Sequence, residues 1–294
     1  MHWSEFPSVR RLRCRSSFVD VGIEVATGFG RHASGRNSAV LAYYGFLTLF
    51  PLIMVATTVL GFVLQGRPDL RDEIVDSAIA QIPVLGSQIL SQSGDLQGNA
   101  IALAVGLAGA LWGSTRAFAG LQSALDDVWE VPIDRRPSLV VRRVHSLVGL
   151  IVIGAGQLAT VALTAISRTA GVPLLGAVFL LVGVAIVNTS VLASMFRYLT
   201  AARTTWAEVW PGALVGGVTF TGLQLVGTVL VTELLAGAQS VYGAFASVFA
   251  ITAWLSVHAT VALVSAELNT VLANRRVDSV GSHGETTGEI GVTG

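Results

Sequence analysis

Residues 173–196 read PLLGAVFLLVGVAIVNTSVLASMF, with no Asp, Glu, Lys or Arg among them. A helix of that length rises about 36 Å at ~1.5 Å per residue, enough to cross the ~30 Å hydrocarbon core of a bilayer. A soluble helix so long would need a charged face toward water. This one has none, so hydrocarbon is the solvent it suits. Working outward, residues 144–166 are equally free of charge, and further apolar runs lie at about 39–64, 99–121, 207–231 and 242–268. The expectation is an all-α, polytopic membrane protein with six transmembrane helices. The 99–121 run contains Arg116. An arginine costs about 2.5–3.5 kcal/mol at a bilayer centre, so Arg116 belongs near an end or a cavity.

Composition agrees. Hydrophobic residues make up 52% of the 294 and charged residues 12%, about half the roughly 25% usual in soluble domains. So few charges could not cover a soluble surface. The formal net charge is zero, which gives no support to nucleic acid as a partner. Every basic residue is Arg, and the lone Cys14 excludes an internal disulfide framework or a Cys-rich metal site. The first apolar run is longer than the 7–15 residues of a signal-peptide core, so it is expected to stay in the membrane.

The arginines orient the chain. With the N-terminus inside, fifteen arginines fall on the inner side, and only Arg67, Arg71 and Arg168 fall outside. The positive-inside rule then predicts both termini in the cytoplasm. The expected organisation is an Arg-rich cytoplasmic segment at 1–37, a membrane domain at 38–273 and a disordered cytoplasmic tail at 274–294. In the outer segment 65–98, Leu70, Ile74, Ala78 and Ile79 recur at helical spacing behind Pro68, with several acidic residues. This predicts a short amphipathic helix on the outer face.

Soluble-enzyme signatures are missing: no H-x-x-E-H, C-x-x-C, P-loop or G-x-S-x-G pattern occurs, and no two histidines have metal-ligand spacing. No catalytic residue, metal site or cofactor is expected, and the chain reads as a non-enzyme. Polar residues inside apolar spans are the better lead, because lipid makes them costly. Glu267 and Asn269 stand near the inner end of the sixth span and Arg116 near the inner end of the second, so Glu267 and Arg116 share a depth that permits pairing. His258 lies within the sixth span, where a packed, hydrogen-bonded imidazole is the commoner role. Pro51 interrupts the first span and kinks it, by a device that also opens transporter cavities. Tyr43, Tyr44 and Tyr242 complete the candidate cavity or gate set; for Tyr43 and Tyr44 a place in the aromatic belt competes. Gly109-x-x-x-Gly113 and Gly212-x-x-x-Gly216 allow close helix packing, within one chain or between two copies.

Three segments carry a family resemblance: Ala39-Val40-Leu41-Ala42-Tyr43-Tyr44 with Leu49-Phe50-Pro51-Leu52; Leu121 through Val131; and Val241-Tyr242-Gly243 through Ser265-Ala266-Glu267-Leu268-Asn269. Together they resemble the YihY/BrkB family of bacterial inner-membrane, or envelope integrity, proteins. Two positions depart from that family's usual pattern: Asp126 stands in place of Asn, and Ser265 in place of Gly. The resemblance implies six spans and a role in the cell envelope. Export or translocation of an amphiphilic or lipid envelope component is the expected function, with membrane lipids as partners. A non-catalytic scaffold, touching other envelope proteins or a second copy, is the alternative from another class. A membrane-embedded enzyme is a third; the ribonuclease label attached to the family finds no nuclease motif or basic surface here.

Overall fold

The computed structural model describes residues 17–63, 100–169, 173–242 and 245–288, and the expected outer amphipathic helix at 65–98 lies outside them. Seven α-helices follow in order: α1 Ser17–Arg31, α2 Ser34–Val63, α3 Ala100–Val128, α4 Leu139–Thr169, α5 Pro173–Tyr198, α6 Trp206–Tyr242 and α7 Phe245–Gly288. A 3-10 turn, Ile133–Arg135, separates α3 from α4, and no strand occurs among the described residues. The described part of the chain is all-helical.

Among the described residues, five stretches are long and apolar enough to cross a membrane: Ser34–Val55, Val140–Thr160, Val178–Tyr198, Trp206–Gly227 and Phe245–Arg276. The second expected span, α3, is 29 residues long but is not among the five. Its C-terminal half carries Arg116, Gln122, Asp126 and Asp127. The helices show lipid-seeking surfaces. On α4, Val140, Val144, Leu147, Ile151 and Leu158 are exposed, and at 100° per residue they fall on one face. Water would penalise such a stripe; hydrocarbon does not.

The chain divides into two compact units. Unit 1 comprises residues 1–37, 121–219 and 260–294. There α4 lies against α5, with Gly156 admitting Val191 and Gly183 admitting Leu163. The α6 N-terminus is set by its sequence. Thr205 precedes the helix, and Glu208 returns its carboxylate to the Thr205 N–H at 2.6 Å, half of a capping box. Arg197 lies 5.1 Å over the Trp206 ring and donates to the Thr204 carbonyl, which fixes the α5–α6 link. Unit 2 comprises residues 38–120 and 220–259. There Gly106, Gly109 and Gly113 of α3 receive Val55, Pro51 and Thr48 of α2.

The α7 helix continues to Gly288, past residue 274 where a disordered tail is expected from the sequence. A preformed helix supplies the nucleus, so poor helix formers can add to its end without a nucleation cost.

Candidate functional site

The carboxyl side chain of Glu267, on α7, is 1% exposed. Its partners come from the α1–α2 corner. His32 Nδ1 lies 2.9 Å from one carboxylate oxygen and 3.1 Å from the other, and the Ser34 hydroxyl donates at 3.0 Å. Gly28 makes room: a Cβ there would stand 2.6 Å from Glu267 Oε2. Ser34 is the first residue of α2, so the carboxylate also sits at the positive end of that helix dipole. The hydrogen-bond partners of Glu267 are thus a histidine and a serine, where equal depth in the sequence had suggested Arg116.

Backbone geometry holds the corner. The His32 N–H donates to the Gly28 carbonyl at 2.9 Å and the Ala33 N–H to Gly30 at 3.3 Å. Ala33 closes the turn with φ 51°. The other side of His32 meets the end of α3. There the Glu130 N–H donates to Asp127 O at 3.1 Å and the Val131 N–H to Asp126 O at 2.8 Å. This is the Schellman closure, with Glu130 at φ 51° in the position glycine usually takes. A left-handed non-glycine residue costs about 1–2 kcal/mol. What the side chain gains is contact: Glu130 Oε1 lies 3.4 Å from His32 Nε2 and 3.1 Å from Arg31. The result is a polar chain from exposed Arg31 and Glu130, through nearly buried His32, to buried Glu267 and Ser34.

Asn269 is two residues from Glu267, but helical geometry turns it about 200° away. It faces α6. Its amide oxygen accepts from the Gly212 N–H at 2.6 Å, and its nitrogen donates to Val209 O at 3.0 Å. Nearby, Pro211 has no N–H and so leaves the Ala207 carbonyl without its helical donor. Arg276 donates to that carbonyl at 3.0 Å. Ser265 and Asn269, one turn apart on α7, pack onto Gly216 and Gly212, one turn apart on α6. A Cβ on Gly212 would collide with the Ser265 carbonyl oxygen. Arg275 anchors the same end of α7 to α1 through Glu24 at 2.9 Å and Asp20.

Asp126, 1% exposed, is a backbone anchor. It accepts from the Ala201 N–H at 2.7 Å and the Thr200 hydroxyl at 3.2 Å, docking the α5–α6 link on α3. An asparagine oxygen could accept the same bonds, which accounts for the ease of an Asp at this position.

The remaining candidates fall in unit 2. His258 Nδ1 bonds its own helix at Trp254 O, 2.9 Å away, and its ring packs between Trp254 and Phe220. Pro51 fits against Gly109, and Gly113 admits Thr48. Tyr43 is exposed and meets Tyr44 edge-on at 5.3 Å. Arg116 is exposed on α3, and Tyr242 ends α6. Among the described residues no group of His, Cys, Asp or Glu has an arrangement that could hold a metal ion.

The helical fold, the lipid-facing stripes and the buried polar chain define a multi-pass membrane protein. Comparison with known sequences narrows that class. The model of the family described as Virulence factor BrkB matches residues 25–288, and the chain belongs to this family. Two curated relatives are similar. Inner membrane protein YhjD of Escherichia coli strain K12 is 26% identical over 156 residues, covering 50% of this chain and 46% of the relative. A UPF0761 membrane protein of Alkalilimnicola ehrlichii is 26% identical over 270 residues, covering 88% of this chain and 59% of the relative. The chain therefore spans about half to three fifths of these relatives. No solved structure matches it.

Proposed function

We propose that this chain is a six-span, non-enzymatic protein of the bacterial inner membrane, with both termini in the cytoplasm, that translocates an amphiphilic, lipid-like component of the cell envelope. The observation that carries the reading is Glu267: an ionisable side chain, 1% exposed, on a helix apolar enough to cross a bilayer. Such groups are expensive in membranes and mark pathways for ions or polar headgroups. Pro51 in α2 and Pro211 in α6 each remove one helical hydrogen bond, a weak point that transporters use to build openings at membrane depth. The inner-membrane location draws on the description of the E. coli relative. The scaffold alternative needs glycine faces free for partners. Gly212 and Gly216 are instead filled by α7 of the same chain.

Reconstitution tests the reading. Vesicles holding the purified protein and a phospholipid with a fluorescent headgroup should expose inner-leaflet label to an added quencher faster than protein-free vesicles. Rates no faster than in protein-free vesicles for phospholipid, lipid A precursor and isoprenoid-linked probes alike would reject it.

A further inference from the structure

Both ring nitrogens of His32 stand against carboxylates. Nδ1 faces the two oxygens of Glu267, and Nε2 faces Glu130 Oε1 at 3.4 Å. A neutral imidazole has one N–H and one lone pair. With both carboxylates ionised, a neutral ring must turn that lone pair toward one of them. One added proton removes the conflict, either on the ring, so that both nitrogens donate, or on either carboxylate, which then donates to the ring's lone pair. The other groups around the ring do not supply it. Arg31, from α1, is engaged with Glu130, and α2 contributes the Ser34 hydroxyl, already donated to Glu267.

Exposure gives the chain a direction. Glu130 is 63% exposed, His32 8% and Glu267 1%. Water thus reaches the outer carboxylate, and the inner one is reached through the ring. A proton arriving at Nε2 forms an N–H bond there while the Nδ1–H bond breaks toward Glu267. The ring ends neutral with its proton on the other nitrogen, and Glu267 ends as the uncharged acid. No other bond changes. Left-handed Ala33 and Glu130 hold the ring and the outer carboxylate of this path at a backbone cost that a simple surface ion pair would not require.

We infer that Glu130, His32 and Glu267 form a proton-binding site that loads one proton from water onto the buried carboxylate. Resting on the translocation reading above, that proton is the ion whose gradient drives transport.

The test is histidine-ring nitrogen NMR on the full chain in phospholipid nanodiscs from pH 8 to pH 5, with H32Q assigning the signal. On acidification the His32 ring proton should move from Nδ1 to Nε2 in the wild type, a change of tautomer that E130Q and E267Q each alter, while H145Q leaves it unmoved. A His32 ring with the same response in wild type, E130Q and E267Q, or with none across the range, overturns the site. E130Q changes an exposed side chain and decides the matter even where E267Q does not fold. A second arm uses the fluorescent-headgroup vesicles under an imposed gradient. Acceleration by a proton gradient, lost in E130Q, supports coupling; acceleration by a sodium gradient alone, or by neither, overturns it. Absence of any flipping overturns the translocation reading, and the NMR arm still decides the site.

Discussion

The two units are held together by different physics. In unit 1 buried polar side chains are paired across helices: Glu267 with His32 and Ser34, Asn269 with Val209 and Gly212, Asp126 with Thr200 and Ala201, Gln122 with Arg142. In unit 2 the close contacts are of shape: Pro51 on Gly109, Thr48 on Gly113, Trp254 on Gly227, Leu255 on Gly45. Lipid tails are as apolar as leucine, so burying leucine against leucine gives little drive to pack helices in a membrane. Two remedies remain, hydrogen bonds and backbone proximity. Unit 1 uses both and unit 2 chiefly the second. Hydrogen bonds fix identity and position; shape fixes only size. Unit 1 should therefore be intolerant of changes that remove a hydrogen-bonding atom, and unit 2 tolerant where volume is kept.

The strongest blow to this contrast is Gly212→Leu. Its side chain meets the backbone of Ser265 and the Asn269 amide, neither of which can swing aside. A loss of about 3 kcal/mol or more is expected, at the upper end for overpacking, read as failure to recover monodisperse protein in mild detergent. Asn269→Leu is next. It keeps volume but removes both interhelical hydrogen bonds, to the Gly212 N–H and the Val209 C=O, and should cost about 2 kcal/mol. A lower midpoint in detergent-titrated unfolding would show it. His258→Gln in unit 2 should be mildest, under about 1.5 kcal/mol, because the ring bonds its own helix and mainly fills space between Trp254 and Phe220. If His258→Gln proved as damaging as Asn269→Leu by that unfolding measurement, the contrast between units would fail.

The sequence made the helices legible because hydrocarbon rewards one simple property, apolar length. The runs at 144–166 and 173–196 correspond to α4, Leu139–Thr169, and α5, Pro173–Tyr198. Boundaries were less legible: α6 and α7 run well beyond their apolar stretches, since backbone hydrogen bonding continues where hydropathy does not. Within the site, Glu267 stood out, as a carboxylate does in a span. His32 did not. It lies 235 residues away in the two-residue link His32-Ala33, and no local pattern announces that its ring meets α7. Glu130 was hidden for another reason. The spacing Asp126-Asp127-Val128-Trp129-Glu130 lacks the glycine that normally marks a helix end, so its left-handed turn had no sign in the sequence. Glu267 and Asn269 were grouped by proximity along the chain, yet α7 sends them to opposite faces.

The central claim is that the buried carboxylate of unit 1 serves transport rather than mere cohesion. The direct measurement pairs headgroup-label translocation with thermal unfolding for wild type and Glu267→Gln in the same vesicles. Gln keeps an oxygen for Ser34 and His32 but cannot hold the charge or exchange the proton. The account predicts an unfolding midpoint within a few degrees of wild type and translocation reduced to the protein-free rate. Unchanged translocation in a stably folded Glu267→Gln protein would contradict it.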